Sequence, residues 1–176
     1  MVRLLASALA LVAVLPLAAE AHGPTRQRVV EKIEINAPAD KVWAVVGNFQ
    51  DMSWHPAVAK TEGEGGNAVD ATRTLTLQSG GQIHEKITKY DEAGKVFNYV
   101  ITEVDVKVLP VENYSSRITV TGDGEKSEVE WWGAFYRGFL NNDPPPELSD
   151  EAAVKAITDV YTSGLAALKE KLEGGN

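Results

Sequence analysis

The 176-residue chain has no cysteine. That excludes a disulfide framework, thiol catalysis, a cysteine-ligated metal and lipid attachment through an N-terminal cysteine. Positive charge is also scarce: 17 Lys and Arg face 25 Asp and Glu, for a formal net charge of −8. Binding a polyanion needs a basic face, so nucleic acid is excluded as a partner, whereas a basic protein would be attracted at long range. Histidine is limited to His22, His55 and His84. No nucleophile stands at motif spacing from a base, so no catalytic residue is assigned. There is no internal repeat and no low-complexity stretch.

Long apolar runs are absent except at the N-terminus. There Arg3 precedes an apolar stretch, Leu4 to Ala19, broken only by Ser7 and Pro16, and Ala19-Glu20-Ala21 forms a small-x-small site. This is the pattern of a secretory signal peptide cleaved after Ala21, which directs the chain to the periplasm and leaves no membrane span. The expected organisation is a leader at 1–21 and one domain at 22–176, large enough for a real core and still carrying a charge of −8.

Hydrophobic periodicity predicts a strand at Val29–Ile35 and a Pro-started helix at Pro38–Val46, then a short helical turn within Phe49–Ala59. Further strands are expected at Lys60–Gly66, Ala71–Gln78, Gln82–Tyr90, Val96–Val106, Glu112–Thr121 and Ser127–Tyr136, with Gly80-Gly81 marking a hairpin. The triple-proline connector Asn141–Pro146 leads to Ser149, an N-cap. The long helix it starts, Ser149–Glu173, carries Val154, Ile157, Val160, Tyr161, Leu165, Leu168 and Leu172 on one stripe before Gly174-Gly175. The fold class is therefore α+β, a curved antiparallel sheet of about seven strands around a long C-terminal helix.

This layout, with Ile35-Asn36-Ala37-Pro38 leading to Val42-Trp43, Glu85 ahead of Tyr90-Asp91, Asn113-Tyr114-Ser115-Ser116 and Val129-x-Trp131, resembles the START-like (SRPBCC) helix-grip superfamily, which includes Bet v 1 and polyketide cyclase-like proteins. Three further runs, Phe49–Pro56, Glu103–Pro110 and Gly133–Gly138 extending to Pro145, resemble the MxaD-like periplasmic proteins associated with methanol dehydrogenase. That resemblance implies a non-catalytic accessory role in methanol oxidation, with the dehydrogenase or its cytochrome as partner. It implies no cofactor and no metal.

Helix-grip proteins that bind small ligands, such as the plant abscisic acid receptors, line their pocket from matching places. The resemblance puts His55 at a pocket cation, Glu85 at a pocket carboxylate, Tyr114 and Ser116 on a strand contributing a phenol and a hydroxyl, and Tyr99 and Trp132 at wall positions. Glu85 and His55 would form a polar pair in the cavity, able to share a proton or orient a ligand hydroxyl. Alternatively, Glu85 pairs with Lys86 or Lys89 near the surface and His55 packs in a loop. His22, N-terminal after cleavage, offers an amine and an imidazole that would chelate copper if a second histidine approached. Alternation places Trp131 and Phe135 on one face and Trp132 and Tyr136 on the other, where they are either packed or an exposed docking patch beside Asp143, Glu147, Asp150 and Glu151. Three functions stay open: the methanol-oxidation accessory, a carrier for a small hydrophobic molecule, and a cyclase- or hydratase-like enzyme using Glu85 and His55.

Overall fold

A computed structural model describes residues 23–174. The expected leader at 1–21, the His22 chelate and Gly175 of the helix stop lie outside the described residues. Seven strands, β1 (Gln27–Ile35), β2 (Val58–Glu64), β3 (Thr72–Leu77), β4 (Gln82–Asp91), β5 (Val96–Val104), β6 (Val111–Asp123) and β7 (Lys126–Arg137), form one antiparallel sheet. Its order is β1-β7-β6-β5-β4-β3-β2. The first strand thus pairs with the last. Helix α1 (Ala39–Val46) carries the chain from one sheet edge to the other, and α2 (Asp150–Glu173) follows β7. This is the helix-grip α+β architecture.

Local chemistry explains the elements. The β3–β4 reversal needs positive φ, and Gly80 (φ 91°) and Gly81 (φ 86°) supply it. Pro38 precedes α1, whose buried face is Val42, Trp43 and Val46. Ser149 Oγ accepts from Ala152 N at 3.2 Å and caps α2. Arg137 then pins the start of α2 by donating to Asp150 Oδ2 (3.0 Å). Asn36 and Lys169 both donate to Glu173 Oε1, at 2.7 Å from the Asn36 backbone N–H and 2.7 Å from Lys169 Nζ, which pins its end. So held, α2 lies across the palm of the sheet and buries Ile157, Tyr161, Leu165 and Leu168. Phe49, Phe97 and Phe135 are fully buried, each contributing about 1.5–3 kcal/mol of apolar burial.

Two features differ from the sequence expectation. Phe49–Ala59 contains turns rather than a helical element, and β2 starts at Val58. Its buried Phe49, Met52, Trp54 and His55 are fixed by tertiary contacts instead of helix periodicity. In β6 a bulge between Glu112 and Ser115, with Asn113 at φ 50°, changes the alternation, so Val111 and Tyr114 both face inward. No helix among the described residues is long and apolar enough to cross a membrane.

Candidate functional site

Between α2 and the sheet lies a cavity of about 290 Å³. Its apolar walls include Leu75 and Ile83 from the sheet, Leu109 from the β5–β6 loop and Ile157 from α2. The polar residues lining the same space are His55, Glu85, Tyr99, Tyr114, Asp159 and Ser79. A larger depression of about 480 Å³ crosses the outer face over Lys32, Arg117, Glu128 and Glu130. It is an open groove over solvated ion pairs and encloses nothing, so the inner cavity is the candidate site.

Four of the six residues singled out from the sequence, His55, Glu85, Tyr99 and Tyr114, line this cavity. Ser116 lies one layer deeper. Its Oγ donates to the Trp132 carbonyl (2.7 Å), accepts from Trp131 Nε1 (3.0 Å) and meets the Tyr161 hydroxyl (3.2 Å). Trp132 is not a wall residue. The pleat turns its ring to the outer face under Arg117, whose guanidinium is 5.7 Å from the ring centroid, and the inner position belongs to Trp131. Tyr136 is likewise covered by Arg26 (5.9 Å), so these two aromatics are half-buried and not an open patch.

Glu85 and His55 do not form a pair with each other. Glu85 Oε2 accepts from Arg73 Nε at 2.6 Å, and both side chains are buried. Lys86 instead pairs with Asp70 at the surface. Arg73 also donates to the Phe49 carbonyl (2.9 Å) and stacks on the Phe49 ring at 4.1 Å. Arg73 is the residue that sequence reasoning missed. Its signal was there, since it shares the inward side of β3 with Leu75, and a cation on a core face needs a partner. The register sets Arg73 directly opposite Glu85. Burial pushes the Glu85 carboxyl upward, against the opposing pull of Arg73's charge and hydrogen bond.

His55 has a defined tautomer. Nδ1 accepts from the Ala57 N–H (3.1 Å), so Nε2 carries the proton and donates to the Val160 carbonyl (3.0 Å). Burial lowers its pKa below the ordinary 6.5, keeping the ring neutral. The ring fits against α2 because position 164 is glycine: a Cβ there would stand 2.4 Å from His55 Cδ2. Gly133 makes the same allowance for Tyr161, whose Oη lies 2.1 Å from where a Cβ would be.

The hydroxyls of Tyr99, Tyr114 and Tyr161 run as a chain to Ser116, with contacts of 3.3 Å between the first pair and 2.6 Å between the second. Trp131 stacks on Tyr161 at 4.4 Å and donates to Tyr99 Oη (3.0 Å). Burial pushes all three phenols well above their ordinary range, so they remain protonated. Among the described residues, no cluster of three or more His, Asp or Glu could hold a metal ion. His84 faces outward on β4, its Nδ1 3.0 Å from Thr74 Oγ1.

Solved structures resemble this one over most of their length. XoxI from Bacillus cereus is 28% identical over 83% of this chain and 95% of its own, with a TM-score of 0.69. An uncharacterized protein from Bacillus thuringiensis is 26% identical over 84% and 99%, also at 0.69. Norcoclaurine synthase from Thalictrum flavum, at 18% identity over 94% and 100% with a TM-score of 0.64, shares the fold. A search of curated proteins found no match. The family model described as polyketide cyclase / dehydrase and lipid transport matches residues 26–173, nearly all of the described chain, and the protein belongs to that family.

Proposed function

We propose that this protein binds a small, mostly apolar ligand in the cavity under α2 and holds it without chemical turnover. The observation carrying this reading is a largely apolar cavity lined by one half-free carboxylate: Glu85 Oε2 is bound to Arg73, while Oε1 has no hydrogen-bond partner among the described residues. Such a site orients a ligand through one polar contact and draws affinity from apolar burial. An acid–base enzyme would need His55 to move protons, but both ring nitrogens are already engaged by Ala57 and Val160. Native mass spectrometry of protein purified from its own source tests the proposal. A bound mass removable by solvent extraction is expected; an empty protein that also fails to take up apolar fluorescent probes would refute it.

The methanol-oxidation reading is favoured by where the three MxaD-like runs fall. Met52 and His55 of the first run and Val108 and Leu109 of the second line one cavity. Gly138 of the third packs on Val106 and Pro110 of the second. We propose on that basis that the protein works in the periplasm beside methanol dehydrogenase or its cytochrome, the charge of −8 favouring a basic partner. Pull-down from methanol-grown periplasm at low and high salt should capture such a partner in a salt-sensitive way. Unimpaired methanol oxidation after gene deletion would refute it.

A further inference from the structure

We infer that the polar group recognised in the cavity is a neutral hydrogen-bond donor, so that the ligand is an apolar alcohol or phenol rather than a ketone, a carboxylate or a protonated amine. The inference rests on the binding reading above and sharpens it. It follows from a count of hydrogens. Ser116 must donate to the Trp132 carbonyl, which can only accept. Ser116 therefore accepts from Tyr161, Tyr161 from Tyr114, and Tyr114 from Tyr99. This is the one direction in which every contact contains a hydrogen. It leaves no phenolic O–H free, and Tyr99, a lining residue whose Oη also receives Trp131 Nε1–H, has no hydrogen left to offer a ligand.

Among the lining side chains the other N–H donor is committed, His55 Nε2–H being given to Val160; Arg73, which donates to Glu85 through Nε and to the Phe49 carbonyl through Nη1, is not a lining residue. The loop amides of Met52, Ala57, Val58, Val108 and Leu109 all bond within the protein. Strand amides lie in the plane of the sheet and do not point into its concave face. Ser79 is the remaining hydroxyl, exposed at the mouth. Inside, Glu85 Oε1 and Tyr99 Oη are both acceptors. Glu85 is 95% buried and lines the cavity, and with Oε2 held by Arg73 it is Oε1 that has no partner among the described residues. A carbonyl or carboxylate would set lone pair against lone pair. A cation would enter where Arg73 already neutralises Glu85 and would remain an uncompensated buried charge. A neutral hydroxyl meets neither penalty.

The test is calorimetric titration of the wild-type protein with matched sets on one-ring, two-ring and linear skeletons. Each set comprises a hydrocarbon, its alcohol, its ketone and its carboxylate; tetralin, tetralol, tetralone and tetralin carboxylate form one. The alcohol should bind at least about tenfold more tightly than the ketone of the same skeleton. In Glu85→Gln, whose amide adds an N–H, that preference should fall to within about threefold. Should that variant not fold, Tyr99→Phe, which removes the second acceptor, should also narrow the preference. A ketone or carboxylate that equals the alcohol in the wild type would overturn the inference and leave the binding reading intact. Failure of every set, hydrocarbons included, would instead overturn the binding reading.

Discussion

Replacing Gly164 with alanine should destabilise this protein, although alanine is the better helix former. The exchange in the interior of α2 gains about 1 kcal/mol of intrinsic propensity. The new Cβ, however, would stand 2.4 Å from His55 Cδ2, 2.7 Å from its Nε2 and 3.0 Å from Trp131 Cζ3. His55 cannot swing away freely. Ala57 N–H holds one ring nitrogen, Val160 O the other, and Trp54 and Trp131 sit 5.8 Å and 6.0 Å from its centroid. Displacing it forfeits two hydrogen bonds at roughly 1 kcal/mol each, with a further 1–3 kcal/mol for overpacking. The net loss is about 2–4 kcal/mol. With an m-value of about 2 kcal/mol/M, the urea midpoint drops by about 1–2 M. NMR titration supplies a second readout, because an ejected His55 should titrate nearer its ordinary 6.5 instead of below it. A variant equal to or more stable than the wild type, with His55 still depressed, would refute the packing derived for this helix.

Arg73→Met should lose about 3–5 kcal/mol at neutral pH by stranding the Glu85 charge; denaturant curves should recover much of that loss at mildly acid pH, where the carboxyl protonates, or in the Arg73→Met, Glu85→Gln double variant. His55 has a folded pKa below 6.5, so the unfolded chain binds more protons there: its contribution is fully present above about 6.5 and is lost as pH falls through the folded value. Glu85, pushed above its ordinary 4.5, acts with the opposite sign, its contribution present below 4.5 and lost as pH rises through the folded value. Subtracting the pH–stability profile of His55→Asn from that of the wild type isolates the histidine limb, and a flat difference would contradict the assigned burial. Ser149→Ala should lower stability by about 1 kcal/mol through loss of the bond from Ala152 N–H, measured by thermal or urea unfolding.

Much of the fold was legible because its signals are local. Pro38, Gly80-Gly81 and Ser149 each demand one backbone geometry, and Ile157, Tyr161, Leu165 and Leu168 repeat at helical spacing. The candidate site was legible only in part. Glu85 and Tyr99, which the family resemblance pointed to, share the inward side of β4 and β5 with Ile83, Ile87 and Phe97. Trp132 was misplaced because two adjacent tryptophans in β7 satisfy either face, and the choice depends on which one finds a partner. Trp131 finds Tyr161, and Trp132 finds Arg117.

Composition and periodicity were enough for a cysteine-free acidic α+β chain closing on one long amphipathic helix, since those properties depend on residues close together in sequence. The Arg73–Glu85 pair, the neutral tautomer of His55 and the direction of the tyrosine chain were settled by folding. Each joins atoms from separate elements: β3 with β4, the Met52–Val58 turns with α2, and β5 with β6 and α2. Strand register and the seat of α2 bring those atoms within bonding distance, and neither can be read from a local pattern.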